Sequence, residues 1–210
     1  MTNTITLYRP VGLYEMRLIL EADSREFPPR HSEQPLFYPV LTLEYAQQIA
    51  HDWNPKDDNS GYAGFVTEFD VDADYLAQFE VHTVGASVHR ELWIPAAEIP
   101  TFNQHIRRPI RIVASYYGER YQGIQHHHNL WFADAIFLHL YKMARHNPHD
   151  FHGEMFMNRN AILLNYTYWL QHDYSQQITA SDKNELLKHI AETWEMKFPD
   201  LTLFGIVSIE

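Results

Sequence analysis

The sequence contains no cysteine among its 210 residues. Disulfide bonds, thiolate metal ligands and a cysteine nucleophile are therefore excluded. No stretch reaches the roughly 18 apolar residues that a membrane-spanning helix needs. The start of the chain has neither the basic region nor the apolar core of a signal peptide. These absences lead us to expect a cytoplasmic protein that has no membrane partner.

Positive charge is also scarce, because 16 lysines and arginines stand against 27 aspartates and glutamates, for a formal net charge of -11. An acidic surface repels the phosphate backbone, which disfavours broad binding to nucleic acid. Arg107, Arg108 and Arg111 form the one basic cluster of the sequence. We interpret this cluster as a solvated strand edge, with a local basic patch as the alternative.

The apolar fraction of 45% and the aromatic fraction of 14% are typical of a packed globular protein. The first half alternates strand-like stretches with short helical ones, whereas the second half has helical spacing alone. We therefore predict an α+β unit with a mixed or antiparallel sheet in residues 1–118, followed by a three-helix unit in residues 119–210. The main strands are expected at residues 5–8, 36–41, 63–69, 88–94 and 110–116. The main helices are expected at residues 43–51, 126–145, 156–170 and 182–198.

Glu91 is the residue of the first half that most suggests chemistry. Strict alternation along its strand places His89, Glu91 and Trp93 on the face opposite the aliphatic residues. A carboxylate on a strand is disfavoured unless that face meets solvent, a partner or a cleft. The pattern leaves open whether Glu91 is an exposed strand residue or a site residue. Arg9 and Tyr38 are further candidates, because strand ends that face one cleft often carry sites.

Five segments, in the same order, resemble a family of small bacterial proteins known as "ADP-ribosylation/crystallin J1" proteins. The segments are LYRPVG (7–12), FPPR (27–30), QPLFYPVLTLEYAQQIA (34–50), GYAGFVTEFDVD (61–72) and HRELWIPAAEI (89–99). The order of elements is also similar to that of the wider ADP-ribosyltransferase fold. In that fold an opening strand ends in Arg or His, a middle strand-to-helix motif supplies Tyr, Ser or Thr, and a later strand supplies Glu. The resemblance covers roughly residues 5–115.

The resemblance implies an NAD-dependent ADP-ribosyltransferase-like protein. Glu91 and Tyr38 would be its catalytic residues, and Arg9, Thr42 and Tyr45 would bind NAD. Arg9 would hold the dinucleotide, Tyr38 or Thr42 would stand in the middle motif, and Tyr45 would stack on the nicotinamide ring. The glycosidic bond to nicotinamide breaks through an oxocarbenium-like state, which a nearby carboxylate stabilises.

His89 departs from the pattern of those family members that modify arginine, because they commonly carry an acid or amide two residues before the catalytic Glu. The acceptor therefore stays open between a protein and a nucleic acid. The same fold could instead serve a non-catalytic interaction protein that binds a partner or a second copy of itself.

A third hypothesis is that the protein is a metal-dependent hydrolase. It would use the histidine-rich second half, where nine of the 14 histidines lie. Imidazole is a good ligand for zinc or iron. However, adjacent histidines on a helix point about 100° apart, so His126, His127 and His128 could not all bind one ion there. Our expectation is that the chain has no metal site.

Overall fold

The computed structural model describes residues 3–125 and 130–203 and has an α+β fold, which confirms the predicted class. The chain divides into two compact units, Met1–Tyr121 and Gln122–Glu210. The sequence placed this boundary at residue 118, within the same Gly-containing connection. No helix in the described residues is both long enough and apolar enough to cross a membrane.

The first unit is built from seven strands and four α-helices within its described residues. The strands are β1 (Thr4–Gly12), β2 (Leu36–Phe37), β3 (Ala63–Asp72), β4 (Val81–Thr83), β5 (Arg90–Leu92), β6 (Ile94–Pro95) and β7 (Arg111–Tyr117). The helices are α1 (Leu13–Glu21), α2 (Leu43–Asp52), α3 (Ala73–Leu76) and α4 (Ile99–Gln104).

β3 is the central strand of an antiparallel sheet with the order β1-β3-β7. Most of its side chains are buried on both faces, whereas an alternating pattern would indicate one exposed face. Helix α2 covers one face, where Gly64 of β3 approaches Ala50 so closely that a side chain would not fit. Phe69 points to the other face, since it lies an odd number of residues from Gly64.

An aromatic cluster fills the face of the sheet that lies opposite α2. Its ring centroids lie between 4.8 and 6.3 Å apart, in tilted and edge-to-face arrangements that aromatic pairs prefer. Burying each of these side chains contributes about 1.5–3 kcal/mol of transfer free energy. The cluster consists of Phe27, Phe37, Phe69 and Phe102.

Val40 extends the sheet beyond β1. Its backbone exchanges two hydrogen bonds with Tyr8, at 2.9 and 2.7 Å, and it pairs on its other side with Glu91. The neighbouring pairs Leu36–Pro95 and Phe37–Ile94 follow the same antiparallel register. Residues 36–41 therefore lie between β1 and residues 90–95, and β4 pairs with β5 beyond them.

The second unit consists of a hairpin and, in the part that the structure describes, four helices. The hairpin joins β8 (Gly123–Gln125) to β9 (Leu130–Phe132). The helices are α5 (Ala133–His146), α6 (Phe151–Met157), α7 (Arg159–Gln171) and α8 (Ala180–Lys197). The three predicted helices correspond to α5, α7 and α8, and α6 is an additional short helix. The start of the predicted helix 126–145 was wrong at residues 130–132, because they form β9.

Aromatic and aliphatic side chains together form the core of the second unit, and two tryptophans are its largest fully buried members. Trp169 and Trp194 are almost completely buried, and each indole N–H has a carbonyl partner. Trp169 donates to the Ala133 carbonyl at 2.8 Å, and Trp194 donates to the Leu201 carbonyl at 2.6 Å. A buried indole needs such a partner, and these two bonds join α7 to the start of α5 and α8 to the segment that follows it.

We expect Gly64→Ala to lower the free energy of unfolding by about 3 kcal/mol, the upper end of the cost of overpacking a core. A Cβ at this position would lie 2.0 Å from the Ala50 carbonyl oxygen, so helix α2 would have to move. The matched control is Gly153→Ala in α6, where a Cβ meets nothing within 4 Å. This control should stabilise its helix by up to about 1 kcal/mol. Urea-denaturation midpoints measure both effects, and equal midpoints for the two variants would contradict the close packing of α2 on β3.

Candidate functional site

Glu91 holds its carboxylate between two aromatic side chains. Its Oε1 accepts a hydrogen bond from the Trp93 indole Nε1 at 2.7 Å. Its Oε2 accepts a longer bond of 3.4 Å from the Tyr45 hydroxyl on α2. The carboxylate is only partly buried, so part of it faces solvent. The contact between Glu91 and Trp93 agrees with the prediction that both side chains lie on one face of the strand.

Two histidines flank these aromatic rings. The His89 ring stacks on Tyr45 with a centroid distance of 4.3 Å, and its Nε2 lies 2.9 Å from the Gln48 side-chain oxygen. The His82 ring stacks on Trp93 at 4.1 Å, and His82 pairs directly with Glu91 across β4 and β5. No sequence pattern singles out His82, because its position depends on the pairing of two short strands.

Tyr38 lies opposite Trp93 on the antiparallel ladder that also pairs Val40 with Glu91. Their rings meet edge to face, with centroids 6.4 Å apart. Tyr38 and Trp93 are 37% and 42% exposed, so both present aromatic surface to solvent. We use the name Glu91 cluster for this group of residues: Tyr38, Tyr45, His82, His89, Glu91 and Trp93.

The Glu91 cluster suits a planar cation. Aromatic faces attract positive charge through their quadrupole, and a carboxylate adds a direct charge. The pKa of the Tyr45 hydroxyl is raised, first because the group is desolvated and second because Glu91 is negative. Tyr45 therefore keeps its proton at neutral pH and donates a hydrogen bond to Glu91.

Thr42 positions Tyr45. Its Oγ1 accepts a hydrogen bond from the Tyr45 amide at 3.4 Å, which confirms the predicted N-cap of α2. The same hydroxyl donates to the Val88 carbonyl at 2.9 Å. Thr42 thus ties the start of α2 to the segment that leads into Glu91, and its hydroxyl is occupied by these two bonds.

The structure places the Arg9 side chain away from Glu91, on the other face of the sheet. Tyr8, Val40 and Glu91 are paired across the sheet and share one face, so Arg9 points to the opposite face. There its guanidinium lies over the Phe37 ring, 4.6 Å from the centroid. Arg9 is therefore buried in the core, on the face away from Glu91.

Glu15 of α1 is the partner of Arg9. Its Oε1 accepts from Arg9 Nε at 2.7 Å, its Oε2 accepts from Nη2 at 3.1 Å, and Arg9 Nη1 donates to the Tyr38 carbonyl at 3.3 Å. Oε2 also accepts from Arg30 Nη1 at 3.3 Å. Desolvation alone would raise the pKa of Glu15, but the two guanidiniums outweigh it and hold that pKa below 4.5. Sequence reasoning missed Glu15 and Arg30, although Arg30 ends one of the motifs that carry the resemblance.

The basic cluster of the sequence is largely neutralised. Arg107 pairs with Asp72, Arg108 with Asp70 at 3.1 Å, and Arg111 with Glu68. A cavity of about 440 Å³ lies beside two of these residues, and its lining includes Arg25, Glu26, Arg107 and Arg108. The charges of the three arginines in its lining are balanced by Glu26 and by the two aspartates that pair with Arg107 and Arg108. The geometry therefore favours our interpretation of a solvated edge.

The histidines of the second half give no metal centre that the structure describes. His126, His127 and His128 lie outside the described residues. Within residues 3–125 and 130–203, no three His, Asp or Glu side chains are placed to hold one ion. His139 instead lies 2.8 Å from the Glu154 carboxylate.

Comparison of the chain with protein-family models, with curated proteins and with solved structures finds no match. The family resemblance of residues 5–115 therefore stays a prediction from the sequence motifs.

We expect Glu15→Gln to lower the free energy of unfolding at neutral pH by about 3 kcal/mol, because it leaves two partly buried guanidiniums without a counter-charge. Glu21→Gln on the same helix is the matched control. Glu21 is exposed and forms a long i,i+4 pair of 3.6 Å with the half-buried Arg17, and helix pairs of this kind contribute about 0.3–0.5 kcal/mol.

The effect of Glu15→Gln should depend on pH. A carboxylate whose folded pKa is depressed stabilises the protein above its unfolded pKa of about 4.5, and this contribution is lost as the pH falls through the lower folded value. The difference between wild type and variant should therefore shrink below about pH 4.5. Urea denaturation at several pH values measures it, and a difference that grows in acid would contradict the ion pair.

Proposed function

We propose that the first unit binds NAD at the Glu91 cluster and transfers its ADP-ribose group to an acceptor. The observation that carries the proposal is the Glu91 carboxylate, held by the Trp93 indole and the Tyr45 hydroxyl next to exposed aromatic rings. The nicotinamide ring of NAD is planar and positively charged, so it matches both features of this cluster.

The chemistry needs only groups that the cluster supplies. The bond between the ribose C1′ and the nicotinamide nitrogen breaks, and its electron pair leaves with neutral nicotinamide. Positive charge then develops on the ribose, where a carboxylate stabilises it. The acceptor nucleophile forms a new bond to C1′ and releases a proton, which Glu91 can accept.

The other residues would have distinct roles in this reaction. Tyr45 would orient Glu91 through its hydroxyl, because its ring is nearly buried and stacks on His89, while Tyr38 would present an exposed ring to the nicotinamide on the same face of the ladder. Thr42 would act by holding Tyr45 in place, since its hydroxyl is already bonded on both sides. Arg9 would support the site from the opposite face of the sheet. This differs from the dinucleotide-binding role that the resemblance implies for Arg9.

A second candidate function is supported by the burial of Arg9. If Arg9 was the expected dinucleotide ligand, its bidentate bond to Glu15 removes it from that task. The fold would then be a non-catalytic interaction module whose exposed Tyr38 and Trp93 bind a protein partner or a second copy of the chain. Aromatic residues of this kind are enriched at interfaces.

Calorimetric titration of NAD and transfer of labelled ADP-ribose test the first proposal. We expect Glu91→Gln to bind NAD within a few-fold of wild type and to lose transfer by about 10²–10³-fold, the effect of removing one group that stabilises transition-state charge. Trp93→Ala should weaken binding by about tenfold, since stacking contributes up to about 1.5 kcal/mol.

The matched control is Glu44→Gln, an exposed carboxylate one residue before Tyr45 on α2. It should change neither binding nor transfer. If wild type does not bind millimolar NAD, the proposal is wrong. A concentration-dependent increase in mass that Trp93→Ala abolishes would then favour the interaction module.

A further inference from the structure

Two guanidinium groups share one carboxylate beside the ladder that carries Tyr38. Arg9, Glu15 and Arg30 have side-chain exposures of 7%, 21% and 15%, so the group is mostly withdrawn from solvent. Its formal charge is +1, because Glu15 balances only one of the two arginines. Withdrawing an unbalanced charge from water is unfavourable unless another group compensates it.

Arg30 is the guanidinium whose positive charge is least well balanced. Arg9 binds Glu15 through two bonds and the Tyr38 carbonyl through a third, whereas Arg30 contacts Glu15 through Nη1 alone, at 3.3 Å. The Nε of Arg30 is buried and has no hydrogen-bond partner among the described residues. The pKa of Arg30 is lowered, first by desolvation and then by Arg9. An unmade bond of a buried donor costs about 1–3 kcal/mol.

The loop that presents Arg30 is held in place. Phe27 lies in the aromatic cluster, and its backbone N–H and carbonyl are both bonded to the Asn103 side chain, at 2.9 and 3.0 Å. Pro28 and Pro29 then restrict the backbone directly before Arg30. A preorganised guanidinium of this kind loses little entropy when it binds a ligand.

We propose that Arg30 is the binding residue for a phosphate group of the ligand, with Arg9 and Glu15 as its positioning residues. A phosphate oxygen at the solvent-facing edge of this guanidinium, whose side chain is 15% exposed, would supply the negative charge that the group lacks. The identification of that phosphate as the pyrophosphate of NAD rests on the proposed function.

Tyr38 connects Arg30 to the Glu91 cluster. Its ring meets Trp93 edge to face, and its carbonyl accepts a hydrogen bond from Arg9, which shares the Glu15 carboxylate with Arg30. A ligand whose planar cation lies on the cluster could therefore extend past Tyr38 and place its phosphates at Arg30. In NAD the nicotinamide riboside and the pyrophosphate are directly linked, as this arrangement requires.

Titration with inorganic pyrophosphate tests the site separately from the reaction. We expect wild type to bind it, and Arg30→Gln to raise the dissociation constant at least tenfold, while Glu91→Gln leaves it unchanged. Arg30→Gln should fold, because Glu15 and Arg9 remain as a neutral pair, and the unfolding midpoint checks this. Arg30→Lys keeps the charge without the planar fork and should restore only part of the affinity.

Arg25→Gln is the matched control, because Arg25 lies on the same loop but lines the separate cavity. Loss of pyrophosphate binding in Arg25→Gln, with full binding in folded Arg30→Gln, would overturn the inference. So would a wild type that binds NAD but not pyrophosphate, with an affinity for NAD that Arg30→Gln does not change. Binding of pyrophosphate through Arg30 without any binding of NAD would support the phosphate site and refute the proposed function.

Discussion

The pairing of Val40 with both Tyr8 and Glu91 is the constraint on which the arrangement of the first unit depends. These hydrogen bonds join two parts of the chain that are far apart in sequence, β1 and the segment around Glu91, into one antiparallel ladder. Because side chains alternate between the faces of a sheet, this single register assigns Glu91 and Tyr8 to one face and Arg9 to the other. Because β1 is fixed by its pairing with β3, a shift of the Val40 register by one residue would move Glu91 to the face of Arg9 and away from α2.

The two faces carry different chemistry as a result. On the face covered by α2, the Thr42 cap holds Tyr45 against Glu91, and the aromatic rings remain partly open to solvent. On the opposite face, Arg9 lies over Phe37 within the aromatic core and needs Glu15 as its counter-charge. The guanidinium of Arg9 and the Glu91 carboxylate therefore lie on opposite faces of the sheet, and Tyr38 contacts both groups of residues, through its ring to Trp93 and through its carbonyl to Arg9.

The sequence patterns correctly predicted those structural features that depend on residues close together in the chain. The α+β class, the N-cap at Thr42 and the shared face of Glu91 and Trp93 follow from residue types spaced by two to four positions. The bond between Arg9 and Glu15 has a short sequence separation, yet it was missed because it depends on the face to which Arg9 points. His82 was missed because β4 and β5 have only three residues each, and α6 was missed because Gly153 weakens its helical pattern.

The composition of the Arg9–Glu15–Arg30 group argues for a role beyond stability. A buried ion pair contributes little net stabilisation compared with apolar side chains of the same volume, because the charges must be desolvated. One arginine and one glutamate would already form a neutral pair on this face. The second guanidinium adds repulsion from Arg9 and a buried Nε without a partner, and both effects are unfavourable in the absence of an anion. A phosphate at the exposed edge of Arg30 would compensate the repulsion between the two guanidiniums, which gives the excess positive charge a physical reason that packing does not supply.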